Sequence, residues 1–211
     1  MFILEAPYVS DLMLKTLENN QFEVLSNDIA KNYSSEYKLN LLDKNTAKNS
    51  LKVYSNSENS INWVLNNFQN SDLARLINLC KNKFEFRKSI SSIYPNFFFT
   101  EIALKDLQIV DISKFPKQFI IKPSIGFLSM GVHKVSFHSE WENTVDTINT
   151  EVDMFAKNFP KDVLSSSNFI IEEIIQGEEF AIDAYFDKAG SPVILNIFQH
   201  PFVSEDDVSD R

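Results

Sequence analysis

The 211-residue chain is 44% hydrophobic and 23% charged, ordinary values for a globular protein with enough length for one large or two small domains. Its net charge of -9 repels nucleic acid and anionic membranes, and no Lys/Arg-rich stripe reverses that field locally, so an anionic ligand needs its own basic pocket. No run approaches ~18 uninterrupted apolar residues and Glu5 interrupts the apolar N-terminus, so neither a membrane span nor a signal-peptide core is expected, and the expected location is cytoplasmic.

Met1 to Ala6 reads as a short apolar strand closed by Pro7. Ser10 and Asp11 start a helix with Leu12, Leu14 and Leu17 as its apolar stripe to about Glu18, and Asn19-Asn20 ends it. Phe22 to Leu25 is a second strand, so the opening predicts an α/β layer with a parallel sheet. Residues 26 to 50 are polar and fit no single period. Leu51 to Tyr54 reads as a third strand, followed by a helix from about Ser57 to Phe68 with Ile61, Val64, Leu65 and Phe68 on one face. Ser71 caps a helix to about Lys81, in which Cys80, the single cysteine, is expected as a buried small hydrophobe. No Gly-x-Gly-x-x-Gly follows the first strand, and no glycine precedes Gly126, which argues against a dinucleotide site here.

The helix is expected to continue from Lys81 to Ser92 carrying Lys81, Lys83, Arg87 and Lys88, either a solvated face or an anion-facing one. Pro95 and Phe97-Phe98-Phe99 predict a turn into a buried strand, and Glu101 to Pro116 a connector with short helical pieces. Gln118 to Lys122 is a β-branched strand that Pro123, lacking an N–H, is expected to end. Ser124, Gly126, Ser129 and Gly131 then form a small-residue loop before alternation resumes over Val132 to Phe137. A lysine beside a loop of uncovered amide donors suits a polyphosphate, because anionic oxygens bind best to charge-assisted donors fixed by the backbone; a plain hairpin with an exposed lysine is the alternative. Glu140 to Phe155 is a helix with Trp141, Val145, Ile148, Val152 and Phe155 at core spacing. Pro160 and Ser165 to Ser167 read as a loop, and Asn168 to Ile171 as a strand that runs into Glu172-Glu173-Ile174-Ile175-Gln176-Gly177-Glu178-Glu179. Phe180 to Phe186 alternates, turns around Gly190 and returns over Pro192 to Phe198.

Three segments in this order carry a resemblance: Lys81-Asn82-Lys83 with Arg87, then Phe119 to Ser124 with Gly126, Ser129 and Gly131, then Ile171 to Phe180. Over about residues 80 to 200 the chain resembles the ATP-grasp superfamily of carboxylate-amine ligases, and the first 78 residues resemble the small α/β domain that often precedes it. The resemblance implies an α/β N-terminal domain, 1–78, followed by α+β ATP-grasp subdomains over 79–211, with a lid subdomain at about 118–165 and the start of a second at about 168–211, the last incomplete. It implies Lys83 and Lys122 on the α- and β-phosphate oxygens, and Ser124, Gly126, Ser129 and Gly131 as a lid over them. Glu172 would accept from the adenine amino group, the backbone at Ile174 and Ile175 would pair with the ring edge, and Glu179 would bind the ribose hydroxyls.

The lid is poorer in glycine than the family's usual one. The family holds its Mg²⁺ on strands well beyond the adenine segment, and the chain ends at Arg211 before any such strands. Glu205, Asp206, Asp207 and Asp210 read as a solvated tail, and His133, His138 and His200 lack metal partners at recognisable spacing, so no metal ligand or catalytic residue is assigned. The function expected is the ATP-binding portion of an ATP-dependent carboxylate-amine ligase acting through an acyl phosphate, inactive alone, with Mg²⁺ needed in the complete enzyme and an unspecified carboxylate and amine as partners. The alternative is a non-catalytic nucleotide-binding or assembly module, or one subunit of a split enzyme, associating with itself or with a C-terminal portion.

Overall fold

The computed structural model describes residues 1–50, 52–126, 129–158 and 165–201. The chain divides into two compact units, Met1–Asn78 and Leu79–Arg211.

In the first unit, β1 (Phe2–Ile3), β2 (Glu23–Leu25), β3 (Asn40–Leu42) and β4 (Tyr54–Ser55) form a parallel sheet in the order β3-β2-β1-β4. Leu4 and Val24 pack against Leu14 and Leu17 of α1 (Asp11–Asn20) and Ala30 of α2 (Asp28–Tyr33). Ile3 and Leu25 pack in a separate cluster with Ala47 of α3 (Lys44–Ala47) and Val64 of α4 (Ile61–Asn67), backed by Leu73 and Ile77 of α5 (Asp72–Lys81). Burial on both sheet faces explains why these strands read as apolar runs rather than as alternation. The Ser10 hydroxyl caps α1 by accepting the Met13 N–H at 3.2 Å, and Gln21 closes it in the left-handed region at φ 51. Leu12, expected on the apolar stripe, is 76% exposed instead.

The ambiguous 26 to 50 stretch resolves into α2, β3 and α3. Both helices start on local caps: the Asn27 side chain accepts from Ala30, and that of Asp43 from Asn45 and Thr46. The third expected strand lies at Tyr54–Ser55, later than anticipated, and Leu51 falls outside the described residues. Cys80 is exposed rather than buried, because α5 covers the core through Ala74, Leu73 and Ile77 and ends one turn later.

In the second unit the expected continuous helix is broken at Asn82, whose extended backbone and side-chain oxygen, accepting from Phe84 and Glu85, start α6 (Lys83–Ile90) afresh. β5 (Phe99–Ala103), β6 (Phe119–Ile125), β7 (His133–Val135) and β8 (Ser165–Glu173) form an antiparallel sheet in the order β5-β8-β6-β7. β6 does not stop at Lys122. It runs through Pro123 because its pairing with β7 covers only Phe119 to Ile121; at Pro123 the strand has β8 as its one neighbour and an irregular register follows, so the missing N–H disrupts no central ladder. β8 likewise takes in Ser165 to Ser167, expected as a loop. Phe119, Ile121, Val135, Phe169 and Ile171 bury one sheet face against Trp141, Val145 and Ile148 of α7 (Trp141–Asn158), with Val152 packed behind. Trp141 is a core residue whose indole N–H donates to the Leu107 carbonyl at 3.2 Å. The Phe155 side chain and the Pro160 loop lie outside what is described.

β9 (Glu179–Phe186) and β10 (Pro192–His200) form a separate antiparallel hairpin. Its turn is fixed by Asp187, which accepts from the Ala189 and Ser191 N–H groups, and by Gly190 at φ 80. Among the described residues no helix is long and apolar enough to cross a membrane.

Candidate functional site: a charged sheet face

Strand parity builds the site. With Phe119, Ile121, Phe169 and Ile171 turned into the α7 core, the two-residue period puts Lys122 and Ser124 of β6, Glu172 of β8 and Glu101 of β5 on the opposite face. The register pairs Ile120 with Glu172 and Lys122 with Ile170, which makes Lys122 and Glu172 diagonal neighbours. α6 adds the remaining charges: Phe84 meets Phe99 of β5 with ring centroids 5.7 Å apart, and the three- and four-residue spacing carries Lys83 and Arg87 to the same side.

Glu172 is the centre of this face, its side chain only 6% exposed. Arg87 Nε donates to its Oε2 at 2.8 Å, and Lys122 Nζ forms an ion pair with its Oε1. Burial pushes the Glu172 carboxyl up, but the Lys122 ammonium and the Arg87 guanidinium outweigh it and hold the group below the usual carboxylate range. The Arg87 guanidinium also sits over the Phe97 ring, 4.6 Å from its centroid, so its orientation is fixed from two sides. Beside this set, Ser124 Oγ donates to Glu101 Oε1 at 2.6 Å.

Lys83 Nζ donates to the Gly126 carbonyl at 2.7 Å, tying α6 to the start of the small-residue loop. Ser129 and Gly131 both occupy the left-handed region, at φ 54 and 69. Phe127 and Leu128, the apolar tip, lie outside the described residues. Beyond β8, Ile174 is half-buried, Ile175 is exposed and Gly177 takes φ 138. Glu179 begins β9 and is bonded through Oε1 to His200 Nδ1 at 2.8 Å.

The family model of the ATP-grasp domain matches residues 115–211. Over those residues the chain is similar to an ATP-grasp domain. Two solved structures share the fold over nearly the whole chain. An L-amino acid ligase from Bacillus licheniformis is 18% identical with a TM-score of 0.52, the match covering 94% of this chain and 51% of that one. The N5-carboxyaminoimidazole ribonucleotide synthetase from Thermotoga maritima is 12% identical with a TM-score of 0.54, covering 94% and 52%. The chain thus spans about half the length of each. No curated protein matches the sequence.

Of the residues singled out by sequence, the second unit brings Lys122, Ser124 and Glu172 onto one face, with Lys83 on the carbonyl of Gly126 at its margin. Ile174, Ile175 and Glu179 follow on the segment from β8 to β9, and among the described residues their side chains share no hydrogen bond or ion pair with that set. Sequence reasoning left out Glu101, read as the start of a connector, because Phe99–Ala103 has no clean alternation and only its pairing with β8 marks it as a strand. Arg87 was noted in the basic helix but not placed in the site; its position four residues after Lys83 was the available signal.

Among the described residues no three His, Cys, Asp or Glu side chains converge on a common point. His133 bonds Glu151 and His138 bonds the Pro116 carbonyl. Glu205, Asp206, Asp207 and Asp210 lie outside the described residues.

Proposed function

We propose that the chain supplies the ATP-binding part of an ATP-dependent carboxylate-amine ligase. What supports this most is the gathering of Arg87 and Lys122 around Glu172 on one sheet face of an otherwise acidic chain, with Lys83 at its margin on the Gly126 carbonyl, within and beside the ATP-grasp match. In this reading Lys83 and Lys122 neutralise phosphate oxygens, and the backbone of Ser124, Gly126, Ser129 and Gly131 folds over them and excludes water. Glu172 accepts from the adenine amino group while holding Lys122 in place. The backbone of Ile174 and Ile175 meets the ring edge, and Glu179 takes the ribose.

Residues 1–78 are the domain preceding the ATP-grasp region, and 79–211 contain its lid subdomain, about 118–165, and the start of the next. In the complete protein a substrate carboxylate oxygen takes the γ-phosphoryl group, giving an acyl phosphate and ADP; an amine then attacks the acyl carbon, phosphate leaves and the nitrogen loses a proton. The test is titration with ATP of the wild type and of Lys122→Ala, which is expected to bind about tenfold or more weakly, the scale of a charge-assisted contact. Absence of wild-type binding sinks the proposal. Binding indifferent to Lys122→Ala refutes the site.

A second reading, an assembly module or split-enzyme subunit, is favoured by the hairpin. Phe180, Ile182, Tyr185, Phe186, Ile197 and Phe198 are all exposed there, an apolar surface of the kind that marks interaction sites. A concentration-independent monomer in solution would count against it.

A further inference from the structure

We propose that His200 is the positioning residue for ribose recognition by Glu179, and that the pair selects ribonucleotides over deoxyribonucleotides; this rests on the nucleotide-binding reading above. The β9–β10 register places His200 directly opposite Glu179, at the end of the hairpin nearest the segment that leaves β8. His200 Nδ1 lies 2.8 Å from Glu179 Oε1. An ionised carboxylate only accepts, so Nδ1 carries the hydrogen and donates it. The two partners differ in exposure: the imidazole is 20% exposed and the glutamate side chain 60%. The ring is therefore the covered support, and the carboxylate is the group presented to solvent.

A glutamate at a strand end otherwise samples several rotamers, and a ligand that fixes one must offset that lost freedom. His200 fixes it beforehand through Oε1. Among the described residues Oε2 accepts no hydrogen bond, which leaves it to accept one from a sugar hydroxyl. The sequence assignment of Glu179 to both ribose hydroxyls thereby sharpens: one oxygen is engaged by the protein, and discrimination falls mainly on the hydroxyl that meets the other.

The experiment titrates ATP, 2′-deoxyATP and 3′-deoxyATP into the wild type, His200→Ala, His200→Asn and Glu179→Ala. The wild type is expected to favour ATP over at least one deoxy analogue by about tenfold, the scale of one hydrogen bond to a charged group. His200→Ala should collapse that ratio to the Glu179→Ala value, and His200→Asn should restore it, since its amide N–H stands in for Nδ1–H. A His200→Ala protein that weakens ATP and the deoxy analogues equally, or keeps the wild-type ratio, overturns the proposal while nucleotide binding stands. A wild type that binds ATP without discriminating overturns it too. A wild type that binds none of the three overturns both readings.

Discussion

The second unit contains two antiparallel sheets of similar composition and opposite surroundings. In the four-stranded sheet Phe119, Ile121, Phe169 and Ile171 are at most 1% exposed, whereas in the hairpin Phe180, Ile182, Ile197 and Phe198 are 49%, 57%, 60% and 53% exposed. Both are rich in Phe and Ile, and period two gives each strand two faces. The difference is a cover. α7 lies on one face of the four-stranded sheet, and α6 brings cations to the other, while among the described residues no buried cluster joins a helix to the hairpin. Alternation in a sequence thus specifies that a face exists, and a third element decides whether it becomes core, charged site or open surface.

The comparison is most easily broken by truncation. Phe119→Ala should lower the stability of the second unit by about 3–5 kcal/mol, the range for emptying an aromatic core position, while Ile182→Ala on the hairpin should cost less than about 1 kcal/mol. Denaturant unfolding followed by Trp141 fluorescence, in a Trp63→Phe background, measures both; equal losses would mean that the hairpin is as well covered as the sheet.

The charged pairs sharpen the same contrast at smaller scale. Arg87→Ala leaves Glu172 buried with one cation instead of two and should cost about 2–3 kcal/mol. Glu179→Ala removes a pair whose carboxylate is 60% exposed and should change stability by no more than about 0.5 kcal/mol, both read from the same unfolding curves. A large loss for Glu179→Ala with none for Arg87→Ala would reverse the assignment of buried and open charge.

The smallest effect is in pH. Because the folded Glu172 carboxyl sits below its ordinary value of 4.5, its stabilisation is fully present above pH 4.5 and is lost as pH falls through the lower folded value. Glu172→Gln should flatten that part of the acid limb in a pH series of unfolding midpoints. An unchanged acid limb would show that the ion pairs contribute nothing to it.

Short-range chemistry was legible where one residue type does one local job. Ser10 capping α1, the α7 stripe of Trp141, Val145 and Ile148, and the Gly190 turn all follow from groups within a few positions of each other. The 26 to 50 stretch was not legible because α2, β3 and α3 are each too short to show a period; pairing with β2 and packing on Ala30 and Ala47 select them. Pro123 misled because its tolerance depends on where β7 stops, a fact of the neighbouring strand. Cys80 misled because the end of α5 extends past the surface that it covers.

By itself the sequence determined the parallel α/β opening, the strand that delivers Lys122, the Glu172 strand and the final hairpin, since each rests on a local period and its breakers. Only the tertiary structure decided that Arg87 and Glu172, 85 residues apart, share a 2.8 Å bond, that Lys83 holds the Gly126 carbonyl, and that Glu101 joins the face. Register and helix packing set those distances, and both come from the sum of many weak contacts that no single stretch of the chain contains.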